Sequence, residues 1–336
     1  MQDQRYAAGE AVSSPGAAAG EALGNPRDAA EPQPEEAGGV EHNMDEMEWT
    51  MDDFDAIEFP PARHLIRPWL PQNGLAMIAG WRGTGKTFTA AGIALSVAAG
   101  VPFLRWEVPE PQRVLYVDGE MDPKEMRDDR LRQMRGALRA EAQARVRANL
   151  FFLSHHVFPE TGIPDLSDPA SAGRDIIERA AQRRGVKLII LDNLSCLCKS
   201  GIENDAESWA SMQDWLLKLR RAGYTVLFMH HGGKPDSRGR SAQRGTSKRE
   251  DVLNVSIMLQ RLTGMRRDTF EWEFTKNRGF LPEEPFPVTI GTAGWVERAD
   301  TTEDAKRDET DPYASQAGQV VPGYRGWARV WQDHRV

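Results

Sequence analysis

Four short apolar runs set the organisation of the central part of the chain. They cover residues 75–80, 114–117, 186–191 and 225–229. Apolar runs of this length without alternation are typical of strands buried on both faces, as in parallel sheets. Segments with helical composition or periodicity lie between them, at residues 86–99, 123–147, 171–184 and 208–222. This alternation predicts an α/β domain with a mostly parallel central sheet.

The first apolar run leads into a glycine-rich turn and a helix of small residues. The turn reads GWRGTGKT and fits the phosphate-binding pattern GxxxxGK[ST], in which the lysine reaches the β- and γ-phosphates and the threonine ligates Mg²⁺. Glycines let backbone N–H groups converge on phosphate oxygens, and the helix N-terminus adds partial positive charge. We therefore expect a nucleoside triphosphate to contact Gly80, Gly83, Thr84, Gly85, Lys86, Thr87 and Phe88.

The other strands end in residues that can act on a bound triphosphate. Ligands of an open parallel sheet gather at the carboxyl ends of its strands. Asp192, after the run LIIL, fits a carboxylate that holds Mg²⁺. Asp118 and Glu120 are both candidates for the base that orients or deprotonates the attacking water. His230 and His231 are both candidates for a sensor of the γ-phosphate. Spacing alone separates neither pair.

Composition divides the chain into a core and two tails. Residues 1–59 carry fifteen acidic and two basic side chains, a net charge of −13 against −8 for the whole chain. Such a segment buries too little apolar surface to offset chain entropy. We predict a disordered acidic arm at residues 1–45 that binds a protein partner, an ATPase domain at 46–298, and a disordered tail at 299–336. The remaining 277 residues carry +5, which is compatible with a polyanion partner.

Three further features bear on compartment and packing. The two cysteines, Cys196 and Cys198, provide no disulfide framework, which favours the reducing cytoplasm. We expect no membrane association, because no apolar stretch is long enough to span a bilayer. For Trp69, a place in the core is a better interpretation than stacking on a base.

The motifs, taken in order, resemble the RecA/DnaB superfamily of ATPases, most closely the plasmid RepA-type hexameric replicative helicases. They are GWRGTGKT, VLYVDGEM, LIILDNL, FMHH, RGTS and TKNRG, within residues 60–296. The resemblance implies a RecA-like fold, ATP and Mg²⁺ as ligands, and hydrolysis at the interfaces of a homo-hexameric ring. It also implies Glu120 rather than Asp118 as the catalytic glutamate, and His231 rather than His230 as the sensor.

In rings of this family, basic residues reach the ATP of the neighbouring subunit and offset charge on the phosphoryl oxygens. Lys276 and Arg278 of KNRG match the Lys-x-Arg pair of DnaB-type rings. The chain departs from the RepA-type pattern, because Asn254 stands near the position of their finger arginine. The resemblance therefore assigns this role to Arg278, with Arg249 as the alternative.

Two segments, residues 199–207 and 232–249, resemble the DNA-contacting loops of RecA-like cores. The second carries the basic residues Lys234, Arg238, Arg240, Arg244 and Lys248. A loop of this kind follows a phosphate backbone without reading sequence. We therefore expect single-stranded DNA as a partner.

Together these features favour a ring-forming DNA helicase or DNA-remodelling ATPase of a plasmid, phage or mobile element. The alternative is a regulatory or assembly module that binds ATP without translocating on DNA, because no primase, zinc-ribbon or winged-helix segment is visible in the sequence. A small-molecule kinase is less favoured, since its lid arginines and acceptor pocket have no recognisable counterpart.

Overall fold

The computed structural model describes residues 49–59, 61–157, 162–198, 206–234, 236–237, 250–261 and 264–299. Contacts divide the chain into two units, Met1–Pro60 and Pro61–Val336. In the first unit, the described residues form helix α1 (Met51–Asp55), which begins at a capping box between Thr50 and Asp53. The predicted arm at 1–45 and the predicted tail from residue 300 onward lie outside the described residues.

In the second unit, β1 (His64–Ile66) and β2 (Leu70–Pro71) form an antiparallel pair that precedes the main sheet. The described part of the main sheet has nine strands: β3 (Leu75–Gly80), β4 (Val114–Asp118), β5 (Leu150–Ser154), β6 (Leu188–Asp192), β7 (Thr225–His231), β8 (Val255–Gln260), β9 (Thr269–Asn277), β10 (Phe286–Ile290) and β11 (Val296–Arg298). Their order is β11-β10-β9-β8-β3-β7-β6-β4-β5.

The predicted mostly parallel α/β sheet is confirmed. The strands from β8 to β5 in that order run parallel, and β9, β10 and β11 add to one side of them in antiparallel orientation. Strand β7 lies between the strand before the phosphate loop, β3, and the strand that ends at Asp192, β6. The sequence pattern did not predict β10 and β11, which are short and include Pro287.

The described helices of the second unit are α2 (Lys86–Ala99), α3 (Pro123–Glu125), α4 (Arg132–Gly136), α5 (Ala140–Asn149), α6 (Ala172–Arg184), α7 (Leu194–Leu197) and α8 (Ala206–Arg221). The four predicted helical segments are present, one of them divided into shorter helices, and α7 was not predicted. The predicted helical segment 123–147 is interrupted by a π-helical stretch, Met126–Leu131, between α3 and α4. None of the helices in the described part of the chain has both the length and the apolar character needed to cross a membrane.

Two apolar layers cover the faces of the sheet. Strand residues alternate between them: Tyr116 and Ile190 pack in the layer with α2, whereas Val117 and Leu191 pack in the layer with α6 and α8. Helix α2 is buried over most of its length because its small residues allow close approach to the sheet. Trp69 is fully buried, 5.6 Å from Trp106 between ring centroids. Its interpretation as a core residue is therefore confirmed.

Candidate functional site

The phosphate loop connects β3 to α2 at the carboxyl edge of the parallel strands. Gly83 and Gly85 have φ angles of 74° and 76°, in the left-handed region that side chains rarely adopt. The helical bond nearest the start of α2 runs from the N–H of Thr89 to the carbonyl of Gly85, at 2.9 Å. The first N–H groups of α2, starting at Lys86, therefore have no acceptor within the helix. Together with the helix dipole, they make this loop suitable for phosphate.

Lys86 lies inside the loop. Its Nζ donates to the carbonyl oxygens of Gly80 and Trp81, at 2.8 and 2.9 Å. Burial lowers the pKa of Lys86 to about 8, although the carboxylates of Asp192 and Glu120 act in the opposite direction. The ammonium group and both carboxylates are therefore close enough to interact in one site.

Asp192 is the last residue of β6 and is 2% exposed. Its Oδ2 accepts a hydrogen bond of 2.6 Å from the hydroxyl of Tyr116, and Thr87 also hydrogen-bonds its carboxylate. Burial raises the pKa of Asp192 to about 6, with the nearby Asp118 and Glu120 carboxylates adding to the effect. The structure thus brings the loop threonine to the strand-end carboxylate. Hydroxyl and carboxylate oxygens are hard ligands that suit Mg²⁺.

The two acidic candidates after β4 differ in their contacts. Asp118 is 1% exposed, and its Oδ1 accepts from the backbone N–H groups of Glu120 and Met121, both at 3.1 Å. One oxygen of this carboxylate therefore stabilises the turn that follows the strand. Glu120 is exposed, and its Oε2 accepts from the Asn193 side chain. The geometry supports Glu120 as the carboxylate available beside Lys86.

The two histidines at the end of β7 also differ. His230 is buried and pairs with Ala79, whereas the half-buried His231 pairs with Gly80, the first residue of the phosphate loop. The N–H of Gly232 donates to the Gly80 carbonyl at 2.9 Å. The end of β7 therefore lies directly against the loop, with His231 nearer to the phosphate position.

Lys276 and Arg278 are not brought to the phosphate loop of their own chain. On β8, Ser256 pairs with Lys276 and Leu259 pairs with Gly80. Lys276 and Gly80 are therefore about 10 Å apart along the strands and, being two strands apart, about 10 Å across the sheet. Lys276 donates to the carbonyl of Glu250, and the exposed Arg278 donates to that of Asp251 at 2.6 Å. A role in a neighbouring subunit's site stays a prediction.

The predicted DNA-contacting residues fall mostly outside the described part of the chain. Lys234 is exposed, three residues after His231. Arg238, Arg240, Arg244, Lys248 and the alternative finger Arg249 are outside it, as are residues 199–205. DNA binding by these segments therefore stays a prediction.

Three site residues were missed by the sequence analysis: Tyr116, Asn193 and Arg261. Asn193 caps α7 through a bond from the N–H of Cys196 to its Oδ1, and its Nδ2 donates to Glu120. Arg261, after β8, donates to the carbonyl of Gly83 at 2.7 Å. The contact of each residue with the site joins segments that are far apart in the sequence. The helix cap formed by Asn193 is the one feature of these three residues that a local pattern could have indicated.

The sequence model of the AAA domain family matches residues 41–237, more than half of the chain. This range includes the phosphate loop, Glu120, Asp192 and His231, and excludes Lys276 and Arg278. No curated protein matches the chain.

The buried lysine predicts a pH-dependent affinity for ATP. Because phosphate binding needs the protonated ammonium and its pKa in the free protein is about 8, the dissociation constant is expected to rise about tenfold from pH 7 to pH 9. Calorimetric titration should also detect proton uptake on binding at pH 9. In Lys86→Arg the guanidinium stays protonated, so that variant should show no such rise. An equal rise in both proteins would contradict the assignment to Lys86.

Proposed function

Since this chain belongs to the AAA domain family of P-loop ATPases, we propose that it is an ATP-driven motor that assembles into a ring and acts on single-stranded DNA. One observation carries the ATPase part of the proposal. At one edge of the sheet, Lys86 lies close to the carboxylates of Asp192 and Glu120, and Asp192 is hydrogen-bonded to Thr87. A loop that binds phosphate, a pair of oxygen ligands for a metal ion and a carboxylate that acts on the attacking water are what ATP hydrolysis requires.

Binding and orientation of the triphosphate fall to the loop and to α2. The N–H groups at the start of α2 donate to phosphate oxygens, and Lys86 exchanges its bonds to the Gly80 and Trp81 carbonyls for bonds to the β- and γ-phosphates. Thr87 and Asp192 would hold Mg²⁺. When bound, this ion neutralises negative charge on the β- and γ-phosphates.

Glu120 is the residue that accepts a proton from the attacking water or orients it. Asn193 donates to Oε2 of Glu120, and its own carbonyl oxygen accepts from the N–H of Cys196. Asn193 is therefore a positioning residue, which fixes the direction of the glutamate carboxylate. His231, whose strand partner is Gly80, donates to a γ-phosphate oxygen and transmits the loss of this phosphate to the segment that follows it, residues 232–249.

The ring part of the proposal is supported by where the remaining basic residues lie. Lys276 and Arg278 are far from their own phosphate loop, and Arg278 is exposed. A residue in that position can act on ATP only if the site belongs to another subunit. The DNA part is supported by the basic character of residues 232–249, which directly follow His231.

DNA-stimulated hydrolysis is the direct test of the motor function. Lys86→Ala should abolish ATP hydrolysis, and the wild-type rate should increase when single-stranded DNA is added. Replacing Arg238, Arg240 and Arg244 by Gln should remove the increase and leave the rate without DNA unchanged. The matched control replaces Arg183 and Arg221, two exposed arginines at the ends of α6 and α8. A wild-type rate indifferent to DNA would instead favour the regulatory or assembly module.

Subunit mixing tests the role of Arg278. If it acts on the neighbour's ATP, Lys86→Ala and Arg278→Ala should each be inactive alone and partly active when mixed. A random ring then has roughly a quarter of its interfaces with both residues intact. Single-turnover hydrolysis by the mixture measures this recovery. No recovery in mixed assemblies of demonstrated ring mass would show that Arg278 does not act in trans.

The positioning role of Asn193 can be tested by comparing the catalytic rate with the affinity for ATP. Asn193→Ala should reduce kcat by about tenfold or more, as for other supporting residues of catalytic groups, and leave the affinity for ATP within about twofold. Asn149→Ala is the control, because Asn149 makes a comparable bond to the carbonyl of Ala98 outside the site. If both variants lose activity equally, stability rather than positioning explains the loss.

A further inference from the structure

A cavity of about 650 Å³ opens at the β5 edge of the sheet, outside the phosphate loop. It lies between β5, helices α2 and α5, and the arginine-rich segment from Pro123 to Arg135. Its apolar lining comes from Leu95, Met126, Leu131, Val146, Leu150 and Phe152. No residue from Gly80 to Phe88 lines it. Volume and lining are those of a pocket for a small organic ligand.

Two residues that line the cavity each have a buried polar atom with no hydrogen-bond partner among the described residues. These atoms are Oδ2 of Asp118 and Oγ of Ser154, from residues that are 1% and 8% exposed. The two residues are register partners on β4 and β5. Buried polar atoms are nearly always paired, because desolvation without a partner is costly. A ligand with N–H donors would pair the carboxylate oxygen of Asp118 and also contact the Ser154 hydroxyl.

Four arginines line the same cavity: Arg127, Arg132, Arg135 and Arg147. Arg127 and Arg132 share the carboxylate of Asp128, at 2.8 and 2.9 Å. Arg135 and Arg147 form no ion pair with any residue that the structure describes. Guanidinium groups match the geometry of phosphate oxygens and bind them in pairs. This wall is therefore suited to a phosphate group.

Phe152 adds a flat apolar surface. Phe152 is 39% exposed although it lies on a strand of the main sheet, and its ring centroid is 5.3 Å from that of Tyr116. An accessible aromatic ring beside cationic side chains is a favourable stacking platform for a nucleobase.

We propose that this cavity is a second nucleotide-binding site, separate from the phosphate loop. The base stacks on Phe152 and donates N–H groups to Asp118 and Ser154, and the phosphate contacts Arg135 and Arg147. The ligand is either a free nucleotide or one nucleotide unit of a nucleic-acid strand, since both offer a base and a phosphate. The other oxygen of Asp118 accepts a hydrogen bond from the N–H of Glu120. Asp118 would therefore link the ligand to the turn that carries the proposed catalytic glutamate.

The test uses the full chain with Lys86→Ala, which weakens binding of nucleotide to the phosphate loop and prevents hydrolysis during the titration. ATP, GTP and a mixed-sequence single-stranded oligonucleotide are titrated separately, by equilibrium dialysis for the nucleotides and fluorescence anisotropy for the oligonucleotide. At least one probe is expected to bind. Arg135→Gln with Arg147→Gln should weaken that binding by about tenfold or more. Phe152→Leu should also weaken it, because leucine keeps an apolar side chain but has no aromatic ring on which a base can stack.

Arg183→Gln with Arg221→Gln is the matched control and should leave the affinity unchanged. Circular dichroism melting of each variant shows whether its fold is retained. Binding of ATP or GTP that the cavity variants weaken identifies a free nucleotide, and weakened binding of the oligonucleotide alone identifies a strand. Absence of binding by all three probes would overturn the proposal. So would affinities that the cavity variants, with their fold retained, leave unchanged.

Discussion

The carboxylate of Asp192, buried at the end of β6, is the group on which the rest of the site depends. A charged group inside a sheet is costly unless other groups hydrogen-bond to it. Here two hydroxyl groups hydrogen-bond to the carboxylate. One belongs to Tyr116 on β4, at 2.6 Å, and the other to Thr87 at the start of α2. These bonds join two strands and the phosphate loop at one point. They require β4 and β6 to be neighbours in register, as the Asp118–Asp192 pair shows.

Register matters because side chains along a strand alternate between faces. Tyr116 and Ile190 pack in the layer with α2, so the next residues of that parity, Asp118 and Asp192, come out on the same face. A slip of one residue in either strand would turn its carboxylate towards α6 and α8 and away from the loop. The packing of the two apolar layers therefore determines on which face of the sheet Asp118 and Asp192 lie. This is the face covered by α2, the helix that binds phosphate.

The sequence was most informative where the signal is local. The phosphate loop is one continuous segment, and the strand ends follow directly from short apolar runs, so Lys86, Thr87 and Asp192 could be placed without tertiary information. His231 could be separated from His230 only through the family resemblance. Asp118 and Glu120 could not be separated, because alternation stops where β4 ends and a turn begins. Tyr116, Asn193 and Arg261 act through contacts with segments far away in the chain. Periodicity contains no information about such contacts, and β9 likewise gave no indication that Lys276 lies far from the loop.

Charge balance gives a physical reason why a bound triphosphate needs more positive charge than the phosphate loop alone supplies. Three carboxylates, Asp118, Glu120 and Asp192, interact with one another or with Lys86, and the cations that the described residues bring close to the loop include Lys86, Arg82, Arg261 and Arg130. A nucleoside triphosphate brings several further negative charges into this partly buried site. The dipole of α2 offsets only a fraction of one charge. A metal ion on Thr87 and Asp192 would supply part of the remaining positive charge, and in the proposed ring Arg278 of a neighbouring subunit would supply more.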